Sequence, residues 1–324
     1  MRGPHPCVRS EEFDLILDSN KMIKGLVSII IPTYNRANCV VEAIQSAKAQ
    51  TYHSKEIIVV DDGSSDDTAQ RVSEINGIEY HYQQNRGHGA ARNRGLQAAH
   101  GEYIASLDSD DLWDEDFLAT SIECLEAHNL DFVFTDWTKV IDGQLQPSEW
   151  LRDGKWKRYR AQREGDWFVL NPADVRKLFL ERNPAPSSSL VARRSSIFSG
   201  WGEQMQIAND WYLVLEMALR RDCVAAFTLV PRWRKRVDGT NIYDGRPFHE
   251  IGEQLHLREY PRFRRDFHSF LTARERLLLA RRELSYRLRV RLHLGTKGEL
   301  AKKVRISDLV GRIANVPRTV RYRL

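Results

Sequence analysis

Long apolar stretches and clustered cysteines are both missing from this chain of 324 residues. No stretch approaches the roughly 18 to 20 consecutive apolar residues that a membrane-spanning helix needs, and the N-terminus lacks the basic-then-apolar pattern of a signal peptide. The 4 cysteines, Cys7, Cys39, Cys124 and Cys223, lie far apart in sequence, so they indicate neither a zinc site nor a disulfide framework. We therefore expect a protein of the reducing cytosol, on the cytoplasmic side of the membrane.

Acidic residues are scarce in the last part of the chain. From His256 to Leu324 there are 19 Lys and Arg residues against 6 Asp and Glu, which gives this segment a net charge of +13. The whole chain has a net charge of +5, so residues 1–255 carry −8. A basic block of this kind is typical of a surface that binds nucleic acid or an anionic membrane; the alternative is a well-solvated helical face.

Over residues 26–135, short apolar runs alternate with stretches in which the apolar residues have helical spacing. The runs that predict buried strands are 26–32, 56–60, 78–82, 103–107 and 131–135. The stretches between them predict helices, with Asp66 or Asp67 placed to cap the second. A Gly-x-Gly begins at Gly87, but Arg92 occupies the third glycine position, so the dinucleotide fingerprint fails. The fold class is therefore α/β, an open and mostly parallel sheet flanked by helices, with its ligand beyond the carboxyl ends of the strands.

The pattern weakens from residue 136 onward. Tryptophans in a segment rich in Lys, Arg and Gly predict a long functional loop or a β-excursion. Further helices are predicted at 173–182 and 210–220, and further strands at 187–192 and 224–229. After about residue 250 the chain is helix-forming and rich in arginine throughout.

Three carboxylates, Asp108, Asp110 and Asp111, follow the predicted strand 103–107. Like charges at the end of a strand require a cation or water to balance them. Carboxylate oxygens suit Mg²⁺ or Mn²⁺, which usually complete their coordination shell with substrate phosphates. The pattern therefore predicts a metal site for a nucleotide diphosphate; the alternative is an acidic turn that caps the following helix.

Four motifs in order resemble the family 2 glycosyltransferases. They are Val-Ser-Ile-Ile-Ile-Pro-Thr-Tyr-Asn-Arg at 27–36, Glu-Ile-Ile-Val-Val-Asp-Asp-Gly-Ser-Ser-Asp-Asp-Thr at 56–68, Asn-Arg-Gly leading to Arg-Asn at 85–93, and Leu-Asp-Ser-Asp-Asp at 107–111. The resemblance is strongest over residues 26–137 and looser to about 245. It implies a GT-A fold and sugar transfer, with inversion, from a nucleotide-diphosphate sugar whose base is most often uracil.

The resemblance also implies roles for single residues on the nucleotide side. The positions that match the nucleotide-sugar site are Pro32, Thr33, Tyr34, Arg36, Asp62, Arg92, Asp108 and Ser109. The first loop lies against the base and ribose in the family, and Asp62 matches a carboxylate that hydrogen-bonds the base. Arg92 offers planar paired donors to a base or phosphate. Asp110 matches the direct ligand of Mn²⁺ or Mg²⁺, and Asp108 matches the residue that contacts both the ribose and the metal.

The candidate catalytic base is Asp210. It lies in Asn209-Asp210-Trp211, which resembles the family's Asn-Asp-Trp or Glu-Asp-Trp signature at a helix start. Inversion in one displacement needs a single base, and a positioned carboxylate contributes ~10²–10⁴-fold to the rate. The alternative is that Asp210 only caps the helix. We place Asn209 and Trp211 on the acceptor side, although a buried core role suits the Trp211 ring equally well.

One segment departs from the family pattern. Where members often have a Tyr-Arg-x-His-like segment after the last strand, this chain has Lys235-Arg236-Val237-Asp238. Asp238 stands where the histidine would be; it can ligate a hard metal, but it adds negative charge. We expect Arg236 near the diphosphate and name Asp238 as a further metal contact.

Leucines and arginines alternate through the basic C-terminal region. Helices of this kind lie on an anionic membrane with apolar side chains inserted, here the inner face of the cell membrane. The alternative is that the leucines pack on the catalytic domain or on another subunit. No motif that reads nucleic acid accompanies the charge, so we expect no nucleic-acid partner.

The expected organisation has three parts. Residues 1–25 are a lead-in segment, 26–250 a GT-A catalytic domain, and 251–324 a basic helical region. Within the domain, 26–137 form the nucleotide-sugar half and 138–250 the acceptor half. We expect a metal-dependent enzyme that transfers sugar from a UDP-sugar to a glycan or lipid-linked acceptor in cell-envelope polysaccharide synthesis. The alternative is a catalytically degenerate module that binds nucleotide-sugar or glycan; a nucleotidyltransferase would need a Gly-rich signature after the first strand.

Overall fold

The computed structural model describes residues 22–147, 154–237 and 248–291, within which eleven strands form one mixed sheet. The strands are β1 (Ile23–Thr33), β2 (Lys55–Asp61), β3 (Glu79–Tyr82), β4 (Gly101–Ser106), β5 (Asp111–Trp113), β6 (Phe132–Ile141), β7 (Gln144–Pro147), β8 (Ala161–Glu164), β9 (Trp167–Leu170), β10 (Leu190–Arg193) and β11 (Ala225–Val237). The predicted metal contact Asp238 and the chain beyond Arg291 lie outside the described residues.

The helices cover both faces of this sheet. They are α1 (Ala37–Lys48), α2 (Thr68–Ser73), α3 (His88–Ala98), α4 (Phe117–Ala127), α5 (Pro172–Glu181), α6 (Asn209–Arg220), α7 (Phe248–Glu253), α8 (Tyr260–Asp266) and α9 (Ala273–Arg291). A π-helical segment, Gln254–Glu259, joins α7 to α8. Short 3₁₀ turns occur at Lys155–Arg158, Ser187–Ser189 and Arg194–Ser196.

The order of strands in the sheet is β3-β2-β1-β4-β10-β6-β11-β9-β8. The first four strands are parallel, as the β-α-β pattern predicts, and β6 is parallel to β11. Strand β10 runs antiparallel between β4 and β6 and joins these two groups. The carboxyl ends of β1, β2 and β4 therefore lie along one edge, where α/β sheets bind ligands.

Two hydrophobic cores lie on the two faces of the sheet. Along β1, Ile30 belongs to the core under α3, α5 and α6, while Ile29 and Ile31 belong to the core under α1 and α4. This alternation follows from the period of two in a strand. Both faces are apolar, which is why the sequence of β1 is an almost continuous apolar run.

The C-terminal helices extend the first of these cores. Phe263, Phe267, Leu271 and Leu279 are buried in it. Arg176 of α5 binds Glu275 of α9 through Nε and Nη2, with N–O distances of 2.7 and 2.9 Å. Packing on the core under α3, α5 and α6 thus accounts for part of the apolar residues in the basic region.

The predicted elements recur within a few residues of their expected limits, and the α/β fold is confirmed. The segment after residue 136 adds the antiparallel strands β7, β8 and β9, which is the β-excursion alternative. Strand β5 was not predicted. It is only three residues long and forms because Asp111 to Trp113 pairs with β11, a contact over more than a hundred residues of chain.

Candidate active site

The loops that follow β1, β2 and β3 are tied together by Asp62. Its backbone N–H donates to the Thr33 carbonyl at 2.8 Å. Its carboxylate accepts hydrogen bonds from the backbone N–H groups of Arg86 at 2.9 Å and Gly87 at 2.7 Å. Gly87 has a φ of +92°, which residues with a side chain rarely adopt. Asp62 therefore fixes the loop that leads into α3. It also holds this loop and the end of β1 together on the predicted nucleotide side of the sheet.

The first loop carries the predicted base and ribose contacts. Pro32 and Thr33 are buried at the end of β1, and the Tyr34 ring is 48% exposed. Asn35, with a left-handed φ of 50°, donates from its backbone N–H to Ser64 Oγ at 2.8 Å. The loop is thus held by Ser64, while the Tyr34 side chain stays about half exposed.

The three carboxylates of Asp108, Asp110 and Asp111 converge as the sequence predicts. One oxygen of each lies within 4.8 Å of the other two. Arg92 Nη2 donates to Asp108 Oδ1 at 2.5 Å, and Arg36 Nη1 lies 3.4 Å from Asp110 Oδ2. The structure therefore gathers three carboxyl groups in one place and sets cationic side chains around them.

Burial and mutual repulsion disturb the ionisation of this cluster. Burial raises the pKa of Asp111 to about 8, with Asp110 and Asp108 acting in the same direction and Lys235 against them. Burial and then Asp108 also raise the pKa of Asp110. Burial opposes ionisation of Asp108 too, but Arg92 and Lys235 outweigh it and lower the pKa of that group. A further cation would favour the ionised form of all three.

The cluster fits a hard divalent cation. Asp111 is 1% exposed, and its Oδ1 has no hydrogen-bond partner, whereas its Oδ2 accepts from Ser188 Oγ at 2.7 Å. Ser188 Oγ in turn accepts from the backbone N–H of Asp108 at 3.1 Å, which fixes the turn. A buried carboxylate oxygen without a partner is costly unless an ion or water takes it. Asp108, Asp110 and Asp111 therefore could hold Mn²⁺ or Mg²⁺ by oxygen ligands alone.

Arg92 connects this cluster to the start of α6. The residue is 5% exposed and uses three nitrogens: Nε donates to Ser106 Oγ at 3.2 Å, Nη1 to Asn209 Oδ1 at 2.8 Å, and Nη2 to Asp108. Only a planar guanidinium offers donors in these three directions at once. Arg92, predicted to contact the nucleotide, and Asn209, from the segment of the predicted catalytic base, thus belong to one hydrogen-bonded unit.

Asp210 lies in the first turn of α6. The N-cap residue is Ala208, and Asp210 Oδ1 accepts from the backbone N–H of Trp211 at 2.6 Å, so Asp210 does not hold the N-cap position. Burial raises the pKa of Asp210 to about 6, against the positive charge of Arg92 and with the negative charge of Asp108. A carboxylate whose pKa lies near neutrality is suited to accept a proton under physiological conditions.

The other predicted site residues are placed as follows. Ser109 is buried beside the cluster. Asn209 joins Arg92, and the Trp211 ring is buried with Nε1 donating to the Phe179 carbonyl at 2.6 Å, which matches the core alternative. Arg236 donates from Nη2 to Glu42 Oε2 on α1 at 2.5 Å, while its neighbour Lys235 acts on the three carboxylates.

Two residues in this region were not predicted. His88 Nε2 accepts a hydrogen bond from Asn209 Nδ2, and burial together with Arg92 lowers the pKa of His88 to about 4, so the ring is neutral at physiological pH. Glu259, from the C-terminal region, accepts hydrogen bonds from the backbone N–H groups just before Asn209. The position of His88 between two glycines at a helix start was the only local signal; Glu259 had none.

Comparison with known proteins shows what part of this chain resembles. Residues 28–181 match the profile of glycosyl transferase family 2. A glycosyltransferase of Rickettsia felis is 43% identical over 117 residues, which are 35% of this chain and 19% of that protein. The WfgD protein of Escherichia coli, named a UDP-Glc:alpha-D-GlcNAc-diphosphoundecaprenol beta-1,3-glucosyltransferase, is 37% identical over 37% of this chain and 49% of its own. The Bacillus subtilis glycosyltransferase TuaG, named for teichuronic acid biosynthesis, is 34% identical over 36% and 48%.

Solved structures agree with this match over more of the chain. TarS of S. aureus in complex with UDP-GlcNAc superposes with a TM-score of 0.56 and 18% identity, over 87% of this chain and 77% of that one. The mannosyltransferase PcManGT of Pyrobaculum calidifontis, in complex with GDP-Man and Mn²⁺, gives a TM-score of 0.51 and 17% identity, over 89% and 80%. At such identities the likeness shows the fold, and the expected GT-A fold is confirmed. The chain spans half or less of the curated relatives described above.

Proposed function

We propose that this chain is an inverting and metal-dependent glycosyltransferase of family 2, a proposal that the match over residues 28–181 supports. It moves a sugar from a nucleotide-diphosphate sugar to a hydroxyl of a glycan or lipid-linked acceptor. The observation that carries this proposal is the hydrogen-bonded unit in which Arg92 joins Asp108 to Asn209, next to Asp210. It brings a carboxylate cluster for a diphosphate and a carboxylate suited to a base to the same edge of the sheet.

Asp210 accepts the proton of the acceptor hydroxyl in this proposal. The acceptor oxygen forms a bond to the anomeric carbon while the bond from that carbon to the diphosphate oxygen breaks, which inverts the configuration. The proton passes from the hydroxyl to an Asp210 oxygen. Its raised pKa supports this role, because a carboxylate with a pKa of about 6 holds a proton more readily than an ordinary one and is still ionised at neutral pH.

The departing diphosphate gathers negative charge at the cluster side of the site. Asp108 and Asp110, with Asp111, would hold the Mn²⁺ or Mg²⁺, which when bound supplies charge stabilisation to the leaving group. Arg36 and Lys235 lie beside the same carboxylates and add fixed positive charge. Tyr34, in the loop after β1, and Asp62, in the loop after β2, belong to the proposed nucleotide site.

A UDP-sugar is the proposed donor, and cell-envelope polysaccharide is the proposed destination of the sugar. The UDP-GlcNAc complex of TarS and the name of WfgD both support a uridine nucleotide. The same name, with its diphosphoundecaprenol acceptor, and the name of TuaG support an acceptor of the cell envelope. The GDP-Man complex of PcManGT keeps guanosine among the bases to be tested.

The exposed face of α9 supports contact with an anionic membrane. Leu277, Leu278 and Leu284 are exposed at 51%, 37% and 50%, and Arg274 and Arg281 are exposed beside them. Next to this face, Arg264, Arg265 and Arg276 line a shallow cleft of about 470 Å³, partly balanced by Glu283 and Asp266. No helix within the described ranges is both long and apolar enough to cross a membrane. We propose a peripheral position on the cytoplasmic leaflet, where leucines insert and arginines meet lipid phosphates.

The alternative is a module that binds nucleotide-sugar without turnover. Calorimetric titration of the whole chain with UDP, GDP, dTDP and CDP, each with and without Mn²⁺, followed by transfer assays, tests both. Metal-dependent binding of one nucleotide that weakens in Asp110→Asn, together with sugar transfer, is the expected result. Asp222→Asn, an exposed carboxylate after α6, is the control and should bind as the wild type does. Binding without transfer to any acceptor supports the module; a folded protein that binds no nucleotide overturns the proposal.

A further inference from the structure

A single buried carboxylate from the C-terminal region holds the segment in front of Asp210. Glu259, 1% exposed, lies at the end of the π-helical segment. Its Oε1 accepts from the backbone N–H groups of Gln206 at 3.0 Å and Ile207 at 3.1 Å, and its Oε2 accepts from that of Ala208 at 2.9 Å. Gln254 Nε2 donates to Oε1 at 2.9 Å. Four donors thus converge on one side chain 51 residues away from Ala208.

This arrangement solves a local problem at the N-terminus of α6. Helix N-termini present backbone N–H groups without intrahelical partners, which an oxygen-bearing side chain at the N-cap usually accepts. Ala208 stands at this N-cap and has no such side chain. The Glu259 carboxylate accepts from the N–H group of Ala208 itself and from those of the two residues before it, and its negative charge lies at the positive end of the helix dipole.

The consequence concerns the residues that come directly afterwards. Gln206, Ile207 and Ala208 lead into Asn209 and Asp210, so their backbone sets where both side chains start. On the other side, Asn209 is fixed by Arg92 and His88. Trp211 packs edge-to-face on Tyr260, the residue after Glu259, with ring centroids 5.5 Å apart. The start of α6 is therefore clamped between the nucleotide half of the domain and the C-terminal region.

We propose that Glu259 is a positioning residue for the Asp210 base, an inference that rests on the proposed function. The C-terminal region is then part of the catalytic unit, and its π-helical segment brings Glu259 into register with the loop. Correct placement matters because a displacement of about 1 Å at a reacting group can cost ~10²-fold in rate. Glu259 acts through the backbone of 206–208 and touches no reacting atom.

The first test compares Glu259→Gln with Glu283→Gln. A glutamine amide places an NH₂ group where a carboxylate oxygen accepted from the backbone N–H groups of 206–208. Two donors then face each other, and the hydrogen bonds at that position are lost. We expect kcat to fall ~10–10²-fold while the KM for the donor changes little, because the nucleotide side is untouched. Glu283 is a buried carboxylate on α9 that binds Arg264 and Arg287. Its replacement therefore also removes a buried charge and lowers stability, but it does not change the contacts of residues 206–208. Glu283→Gln should keep the wild-type kcat.

The pH dependence separates positioning from general destabilisation. An open clamp admits water to Asp210 and weakens the burial that raises its pKa, so the acid limb of kcat should move below about pH 6 in Glu259→Gln. Arg92 and Asp108, which also act on Asp210, are unchanged in that variant. Glu259→Asp keeps the charge on a shorter side chain and should recover part of the lost kcat. An unchanged kcat and pH profile in a folded Glu259→Gln would overturn the inference.

Hydrogen exchange gives a readout that does not depend on turnover. In the wild type the amides of Gln206, Ile207 and Ala208 should exchange slowly, because Glu259 holds all three. They should exchange faster in Glu259→Gln and stay slow in Glu283→Gln. A wild-type protein that transfers no sugar would remove the proposed function, yet this comparison would still report on the clamp. Equal protection in all three proteins would show that Glu259 does not fix the loop.

Discussion

Arg92 donates a hydrogen bond from Nη1 to Asn209 Oδ1 at 2.8 Å, across 117 residues of chain. The same guanidinium holds Asp108 through Nη2. The metal-type carboxylates and the start of α6 therefore cannot move independently of one another. An enzyme that removes a proton on one side of a sugar and stabilises a diphosphate on the other needs a fixed distance between these groups.

Arg92→Lys should break this link while keeping the charge. An ammonium group has no planar fork, so it cannot meet Ser106, Asn209 and Asp108 together. The buried acceptor that loses its donor costs ~1–3 kcal/mol of stability. We expect a lower unfolding midpoint in denaturant titration and a fall in kcat. Arg94→Lys, a change on the same helix at an exposed position, serves as the control. Wild-type kcat in Arg92→Lys would mean that the link does not matter for transfer.

Asp210→Asn should abolish transfer and spare donor binding. The amide keeps the size of the carboxylate but cannot accept a proton at neutral pH, so the loss should approach the ~10²–10⁴-fold contribution of a positioned base. Single-turnover assays measure transfer, and calorimetry with UDP and Mn²⁺ measures donor binding. Asp222→Asn should match the wild type in both. Retained turnover in Asp210→Asn removes Asp210 from the mechanism.

The rate of transfer should fall as the pH drops through about 6. Burial raises the folded-state pKa of Asp210 to about 6, so the group is protonated below that pH and cannot act as a base. The pH profile of kcat measured with saturating donor and metal reports this limb. Should kcat stay level well below pH 6, the base would be a group of ordinary pKa.

Glu275 should make the attachment of α9 sensitive to acid. Its hydrogen bonds with Arg176, against the effect of burial, lower its pKa from 4.5 to about 2. A lowered folded-state pKa stabilises the fold above the unfolded-state pKa, and this stabilisation is lost as the pH falls from about 4.5 towards 2. The difference in the free energy of unfolding between wild type and Glu275→Gln should be largest at neutral pH and shrink over that range. Glu123→Gln, a change at an exposed position on α4, serves as the control.

Most of the fold could be predicted because its signals are local. The apolar run of β1 and the helical spacing of α1 are set by side-chain periods that a sequence displays directly. Strand β5 could not be predicted, because three residues are too few to show a strand periodicity. They form a strand only by pairing with β11. The antiparallel insertion of β10 between β4 and β6 is likewise a property of the whole sheet.

The site could be predicted where motifs carry it. Asp108, Asp110 and Asp210 stand in short patterns. The structure brings the first two together, and Arg92 links Asp108 to Asn209, the residue before Asp210. Glu259 could not be found, because a glutamate in an arginine-rich helix looks like surface and only tertiary packing buries it. His88 was visible as a residue but not as a role, since its neutral state depends on burial beside Arg92.

The exposed face of α9 leads to the last prediction, binding to anionic vesicles. The chain should sediment with vesicles that contain phosphatidylglycerol and not with pure phosphatidylcholine, because the arginines need lipid charge and the leucines need the hydrocarbon boundary. The paired change Leu277→Ser and Leu284→Ser should reduce binding, while Leu145→Ser, at a still more exposed leucine on β7, should not.

A second copy of the chain is another occupant of this face that the same variants distinguish. If a second copy covered it, sedimentation velocity would show a dimer that Leu277→Ser and Leu284→Ser dissociate, and vesicles would not bind. The segment 292–324 is itself rich in Lys and Arg, so its charge repels the arginines of α9 rather than complementing them. High salt should release the chain from vesicles, since screening weakens the arginine contacts and leaves the exposed leucines of α9 to hold it. Binding that survives high salt unchanged would mean that charge does not select the partner of this face.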